Sequence, residues 1–83
     1  MKVHIRYFAS IREALSTGSE TVETAAGTLG ELRDELIARG GAHAEALARG
    51  RAVRLALNQT MSDESAPLGE GAEVGFFPPV TGG

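Results

Sequence analysis

The sequence predicts a two-layer α+β domain in which one main amphipathic helix covers one face of a mixed sheet. Three observations predict it. Apolar residues alternate with polar ones near both ends of the chain, at Val3, Ile5 and Tyr7 and again at Val74 and Phe76. Between them, Leu29, Leu32, Leu36 and Ile37 recur at helical spacing and form one apolar stripe. The chain has 83 residues, the length of one small domain with a thin core.

Taken in order, Lys2 to Phe8 alternates with period two. Val3, Ile5 and Tyr7 share one face; Lys2, His4, Arg6 and Phe8 share the other. The stretch ASIREAL reads as a short helical turn and STGS as a loop. SETVETAA is a weaker second strand, with Thr21 and Glu23 opposite Val22. Thr28 stands three residues before Glu31, the spacing of a capping box, so the main helix is expected to start there. Gly40-Gly41 is expected to end it, because glycine readily takes the left-handed conformation. AHAEALARG reads as a second short helix stopped by Gly50. In AVRLALN, Val53, Leu55 and Leu57 point one way, a third strand. QTMSDESAP is polar and reads as a loop, and PLGEG as a turn. AEVGFF is the last strand, with Val74 and Phe76 facing the core and Phe77 facing out.

The expected order is therefore strand, strand, helix, strand, strand. With the first two strands as a hairpin and the helix as a crossover, this is the order of the ubiquitin-like β-grasp. Residues 1–77 are expected to form that domain and residues 78–83 an extended tail.

Composition excludes several function classes. Eight basic and eleven acidic residues give a net charge of −3, the wrong sign for a nucleic-acid footprint. The hydrophobic fraction of 42% fits a globular chain. There is no cysteine, hence no disulfide, thiolate nucleophile or cysteine metal site. His4 and His43 are far apart in sequence and are expected to be solvated; no metal is expected. No apolar run is long enough for a membrane span, and the alternating start does not read as a signal peptide. A cytoplasmic protein is expected.

The end of the chain, FFPPVTGG, carries the chemistry. Pro78 and Pro79 lack an N–H and fix φ, so the last strand cannot continue past Phe77. They favour a stiff, polyproline-like exit. From Pro78 through Pro79, Val80, Thr81, Gly82 and Gly83 the chain reaches about 20 Å when extended. Gly82 and Gly83 have no Cβ and can thread a narrow channel. The reactive group on such a tip is the carboxylate of Gly83. The ordinary alternative is a frayed end without function; a proline stiffener directly before the glycines argues against it.

In this ending and in the stretches before it, the chain resembles the small, sulfur-carrier subunit of molybdopterin synthase. The likeness is strong from LNQT through PLGEGAEVGFFPPVTGG, looser at RYFASIRE, and mainly one of pattern between. Two departures are Ala72, where an acidic residue is usual, and Gly75, where alanine is common; Gly75 is expected to weaken the last strand slightly. The resemblance implies that an E1-like adenylating enzyme uses ATP to adenylate Gly83. Sulfur then replaces AMP to leave a thiocarboxylate. The tail would insert into the large synthase subunit, in a heterotetramer, and give its sulfur to precursor Z. It implies no cofactor bound by this chain and no catalysis by this chain alone.

Phe8 and Phe77 lie off the core parity of their strands, at the C-terminal ends of two strands that neighbour each other in a β-grasp. With Met61 they are expected to form a partner-docking patch beside the tail. The plain alternative is scattered exposed apolar residues that need no explanation. Two other functions stay open: a sulfur carrier for thiamine or another sulfur-containing product, and a ubiquitin-like modifier whose tip joins a target amine.

Overall fold

The computed structural model describes residues 1–79. Strand β1 (Lys2–Tyr7) leads into helix α1 (Ala9–Leu15) and strand β2 (Ser19–Glu23). Helices α2 (Leu29–Ile37) and α3 (Gly41–Ala46) follow, then β3 (Arg54–Leu57), β4 (Thr60–Ser62) and β5 (Glu73–Phe77). The five strands form one mixed sheet in the order β2-β1-β5-β3-β4. The central pair β1 and β5 is parallel, with Ile5 opposite Val74 and Tyr7 opposite Phe76. Strands β1 and β2 form the expected antiparallel hairpin.

The alternation read from the sequence sets which face is buried. Val3, Ile5 and Tyr7 are buried, as are Val74 and Phe76 beside them. They meet Leu29, Leu32 and Leu36 of α2, with Ile37 partly buried against the same cluster. Each such side chain contributes about 1.5–3 kcal/mol on burial. Nine residues are too few for a helix to persist alone in water, so α2 depends on this packing and on its cap. Thr28 Oγ1 accepts from the Glu31 N–H at 3.2 Å, and Glu31 Oε1 accepts from the Gly27 N–H at 2.6 Å. The reciprocal bond thus falls one residue before the cap. Helix α2 stops at Ile37; Gly40, at φ 77°, turns the chain into α3.

Three expectations need correction. QTMSDESAP is not all loop: Thr60–Ser62 form β4, antiparallel to β3, with Met61 opposite Ala56. Asn58 and Gln59 have φ of 50° and 70°, the two left-handed residues of a type I′ hairpin turn. The turn is tied to β5, where Glu73 accepts from the Asn58 N–H at 2.8 Å and donates its own N–H to Asn58 Oδ1 at 3.0 Å. A three-residue edge strand is too short to show a period. Second, ASIREAL, read as a helical turn, is the seven-residue helix α1, and the second short helix expected at AHAEALARG is present as α3 but ends at Ala46, before Gly50. Third, His43 is not a plain solvated residue. It is half-buried, edge-on to Tyr7 at 6.2 Å and 3.4 Å from Glu20. No helix among the described residues is long and apolar enough to cross a membrane.

Candidate functional site

The parallel pairing of β1 and β5 extends one residue past β1, through a 3.1 Å bond from the Phe8 N–H to the Phe76 carbonyl. This places Phe8 beside Phe77 on the outer sheet face. The rings stack at 4.3 Å between centroids, 5° from parallel. Both are half-buried instead of fully exposed, because they cover each other and the strand beneath. Gly75 lies under them. A Cβ there would sit 3.0 Å from Phe77 Cε2 and 3.4 Å from Phe8 Cε2. The glycine that looked like a weak point in β5 therefore lets the rings lie close to the sheet.

Met61 is 55% exposed and completes a groove with Phe8, Ala56 and Phe77. The Arg6 guanidinium carbon lies 5.4 Å from the Phe8 ring centroid, and Arg6 Nη1 lies 3.6 Å from Glu73 Oε2. The structure thus brings Phe8, Met61 and Phe77 together. Gly75 and Ala56 were missed by the sequence reading. The period of two already places Gly75 below Phe77 on the same face; Ala56 needs the β3–β5 register, in which it lies opposite Gly75.

Pro78 and Pro79 follow β5 directly and line one open cavity together with Ser10, Ile11 and Val53. Val80, Thr81, Gly82 and Gly83, the remaining predicted tail residues, lie outside the described residues. Among the described residues, no group of three or more His, Asp or Glu side chains is placed to hold a metal ion.

Two polar clusters lie away from this exit, and both read as framework. Tyr7 Oη donates to Glu20 Oε2 at 2.7 Å, and Arg39 Nη1 donates to Glu20 Oε1 at 2.8 Å. Burial, and then the bond to Glu20, push the Tyr7 phenol well above its ordinary range. Burial pushes the Glu20 carboxyl up, but bonds from Tyr7, Arg39 and His43 outweigh it and hold the group low. In the second cluster, Arg33 is 4% exposed. Its Nε and Nη2 donate to the carbonyls of Leu47, Ala48 and Arg51, and its Nη1 to Glu64. Arg49 also donates to Glu64 and to Asp34.

A five-stranded mixed sheet with a central parallel pair, a crossover helix on one face and a proline-led exit from the last strand defines a ubiquitin-like β-grasp protein. Across 100% of both chains it superposes on SAMP1 from Haloferax volcanii with a TM-score of 0.78; at 24% identity that likeness concerns the fold. The chain belongs to the ThiS family, which matches residues 5–83. It is 38% identical to the molybdopterin synthase sulfur carrier subunit of Escherichia coli (strain K12), over 98% of this chain and 99% of that one. It is also 30% identical, with a TM-score of 0.70 over 100% of both chains, to a chain in the complex of subunits 1 and 2 of molybdopterin-converting factor from Helicobacter pylori 26695.

Proposed function

We propose that this chain is the sulfur-carrier subunit of a molybdopterin synthase and that Gly83 is the residue that carries the sulfur. The observation that carries the reading is the near full-length similarity to a curated sulfur carrier subunit, in a chain whose β5 is followed directly by PPVTGG. The Gly83 carboxylate attacks ATP on an E1-like adenylating enzyme, forming an acyl-adenylate and releasing pyrophosphate. A sulfur nucleophile then displaces AMP and leaves a thiocarboxylate. The loaded tail enters the large synthase subunit and transfers sulfur to precursor Z.

This chain contributes position, not acid–base chemistry. Glycine at the tip leaves the acyl carbon unhindered. Pro78 and Pro79 stiffen the exit, and the Phe8–Met61–Phe77 surface docks the partner that receives the tail. Intact mass after incubation with the adenylating enzyme, ATP and a sulfur source tests the reading. The expected product gains the difference between one sulfur and one oxygen, and deletion of Gly83 abolishes that gain while circular dichroism stays unchanged. Normal sulfur loading at the shortened terminus refutes the mechanism. Conjugates on target lysines in place of the thiocarboxylate identify a modifier instead.

A further inference from the structure

The surface on the other side of the tail exit is also shaped for contact. A groove runs between α1 and α3. Its near end, shared with Pro78 and Pro79, is lined by Ser10, Ile11, Ala46 and Arg51. Its far end adds Ala14 and Glu45. The floor is made of small or buried apolar side chains, with Ile11 and Ala46 almost fully buried. Arg51 lines both ends of the groove and Glu45 only the end away from Pro78 and Pro79; the two pair neither with each other nor with any other described residue.

The Arg51 backbone is also held in place. The Arg51 carbonyl accepts from buried Arg33 at 3.1 Å and from the Val53 N–H at 3.0 Å, and the Arg51 N–H donates to Ala48 at 2.9 Å. The main chain that presents this cation is thus fixed to α2, while its side chain stays exposed.

We infer that this groove is a second docking surface for the partner that receives the tail, and that it takes an extended partner segment with a carboxylate over Arg51, a small apolar residue over Ile11 and Ala46, and a cation over Glu45. The inference rests on the carrier reading above. A partner that swallows the chain beyond Pro79 must close around Pro78 and Pro79. The Phe8–Met61–Phe77 surface flanks that exit on one side and the groove on the other. Charge order gives the segment a direction, and burying both charges in paired form makes the contact selective for that order. The partner then grips the domain on both sides of the exit, which fixes the direction in which the tail leaves.

The test is the affinity of the full chain for its cognate large synthase subunit by titration calorimetry. The variants are Arg51→Glu, Ser10→Trp to fill the groove, and Phe77→Ala as a reference on the opposite surface. Both groove positions are exposed, so urea midpoints are expected to match the parent chain. Arg51→Glu and Ser10→Trp are each expected to raise Kd about tenfold, with the Arg51→Glu loss shrinking at high salt. A Kd within about twofold of the parent for both groove variants, with Phe77→Ala still weakened, overturns the groove and leaves the carrier reading intact. If the parent chain itself shows no affinity for the large subunit, the carrier reading falls and the groove with it.

Discussion

Replacing Arg33 with methionine is expected to be the most damaging single change outside the apolar core. The guanidinium is 4% exposed. It donates to Leu47 O at 2.8 Å, to Ala48 O at 2.8 Å, to Arg51 O at 3.1 Å and to Glu64 Oε2 at 3.0 Å. Methionine retains much of the apolar stem and adapts its shape, so the loss is mainly polar. Each buried acceptor left without a donor costs about 1–3 kcal/mol, less where water reaches it. Glu64 is 39% exposed, so losing its ion pair adds only about 1 kcal/mol. The Ala48 carbonyl keeps its bond from the Arg51 N–H, the Arg51 carbonyl its bond from the Val53 N–H and Glu64 its bond from Arg49, so about 2–3 kcal/mol is expected. A chain this long has about 4–12 kcal/mol in total, and each kcal/mol moves the melting midpoint by about 4–8 °C. A fall of about 10–20 °C follows. Urea unfolding and thermal melts by circular dichroism measure it, with Arg33→Lys expected to lie between methionine and the parent. A loss below about 1 kcal/mol would show that the segment from Leu47 to Arg51 holds its course without the guanidinium, and the reasoning would be wrong.

The remaining predictions concern pH, docking and the tail. Because Glu20 is held below its ordinary range, its contribution to stability is present above the unfolded value of about 4.3 and is lost as pH falls through the lower folded value. Glu20→Gln should therefore lower stability at neutral pH and flatten its fall below about pH 4; equal acid slopes for the two proteins would refute this. Phe77→Ala and Met61→Asp should each weaken partner binding by about 2 kcal/mol or more, a larger loss than urea unfolding shows for the fold. Binding that merely tracks a lost folded fraction would make these residues structural. Gly82→Ile should impair sulfur loading and precursor conversion far more than Gly82→Ala, since small displacements at a reaction centre cost about a hundredfold in rate. Full activity of Gly82→Ile at adenylation, loading and conversion would defeat the steric argument.

Local chemistry determined much of this molecule directly from sequence. The alternation at Val3–Ile5–Tyr7 and Val74–Phe76 follows from the pleat, which sends successive side chains to opposite faces whatever the partner strand. The start of α2 follows from Thr28 and Glu31, whose side chains reach backbone groups within four residues. The proline stop after Phe77 and the absence of thiol chemistry are equally local. The meeting of Phe8 with Phe77 was legible too, once the strand order implied that the first and last strands are neighbours.

The tertiary structure alone decided features that depend on residues distant in sequence. Strand β4 has no period of its own and exists because the Asn58-Gln59 turn folds it onto β3, which β5 holds from the other side. Arg33 falls on a helix whose apolar stripe gives no hint that the arginine is buried; its donors find carbonyls 14 to 18 residues later and a carboxylate 31 residues later. His43 became part of the Tyr7–Glu20 cluster because α3, packed against α1 and α2, brings this side chain to Tyr7 and Glu20. Gly75 changed meaning from a weak point in a strand to the seat of two stacked rings. In each case the deciding partner lies across the fold, and a pattern read along the chain reports only what neighbours along the chain can enforce.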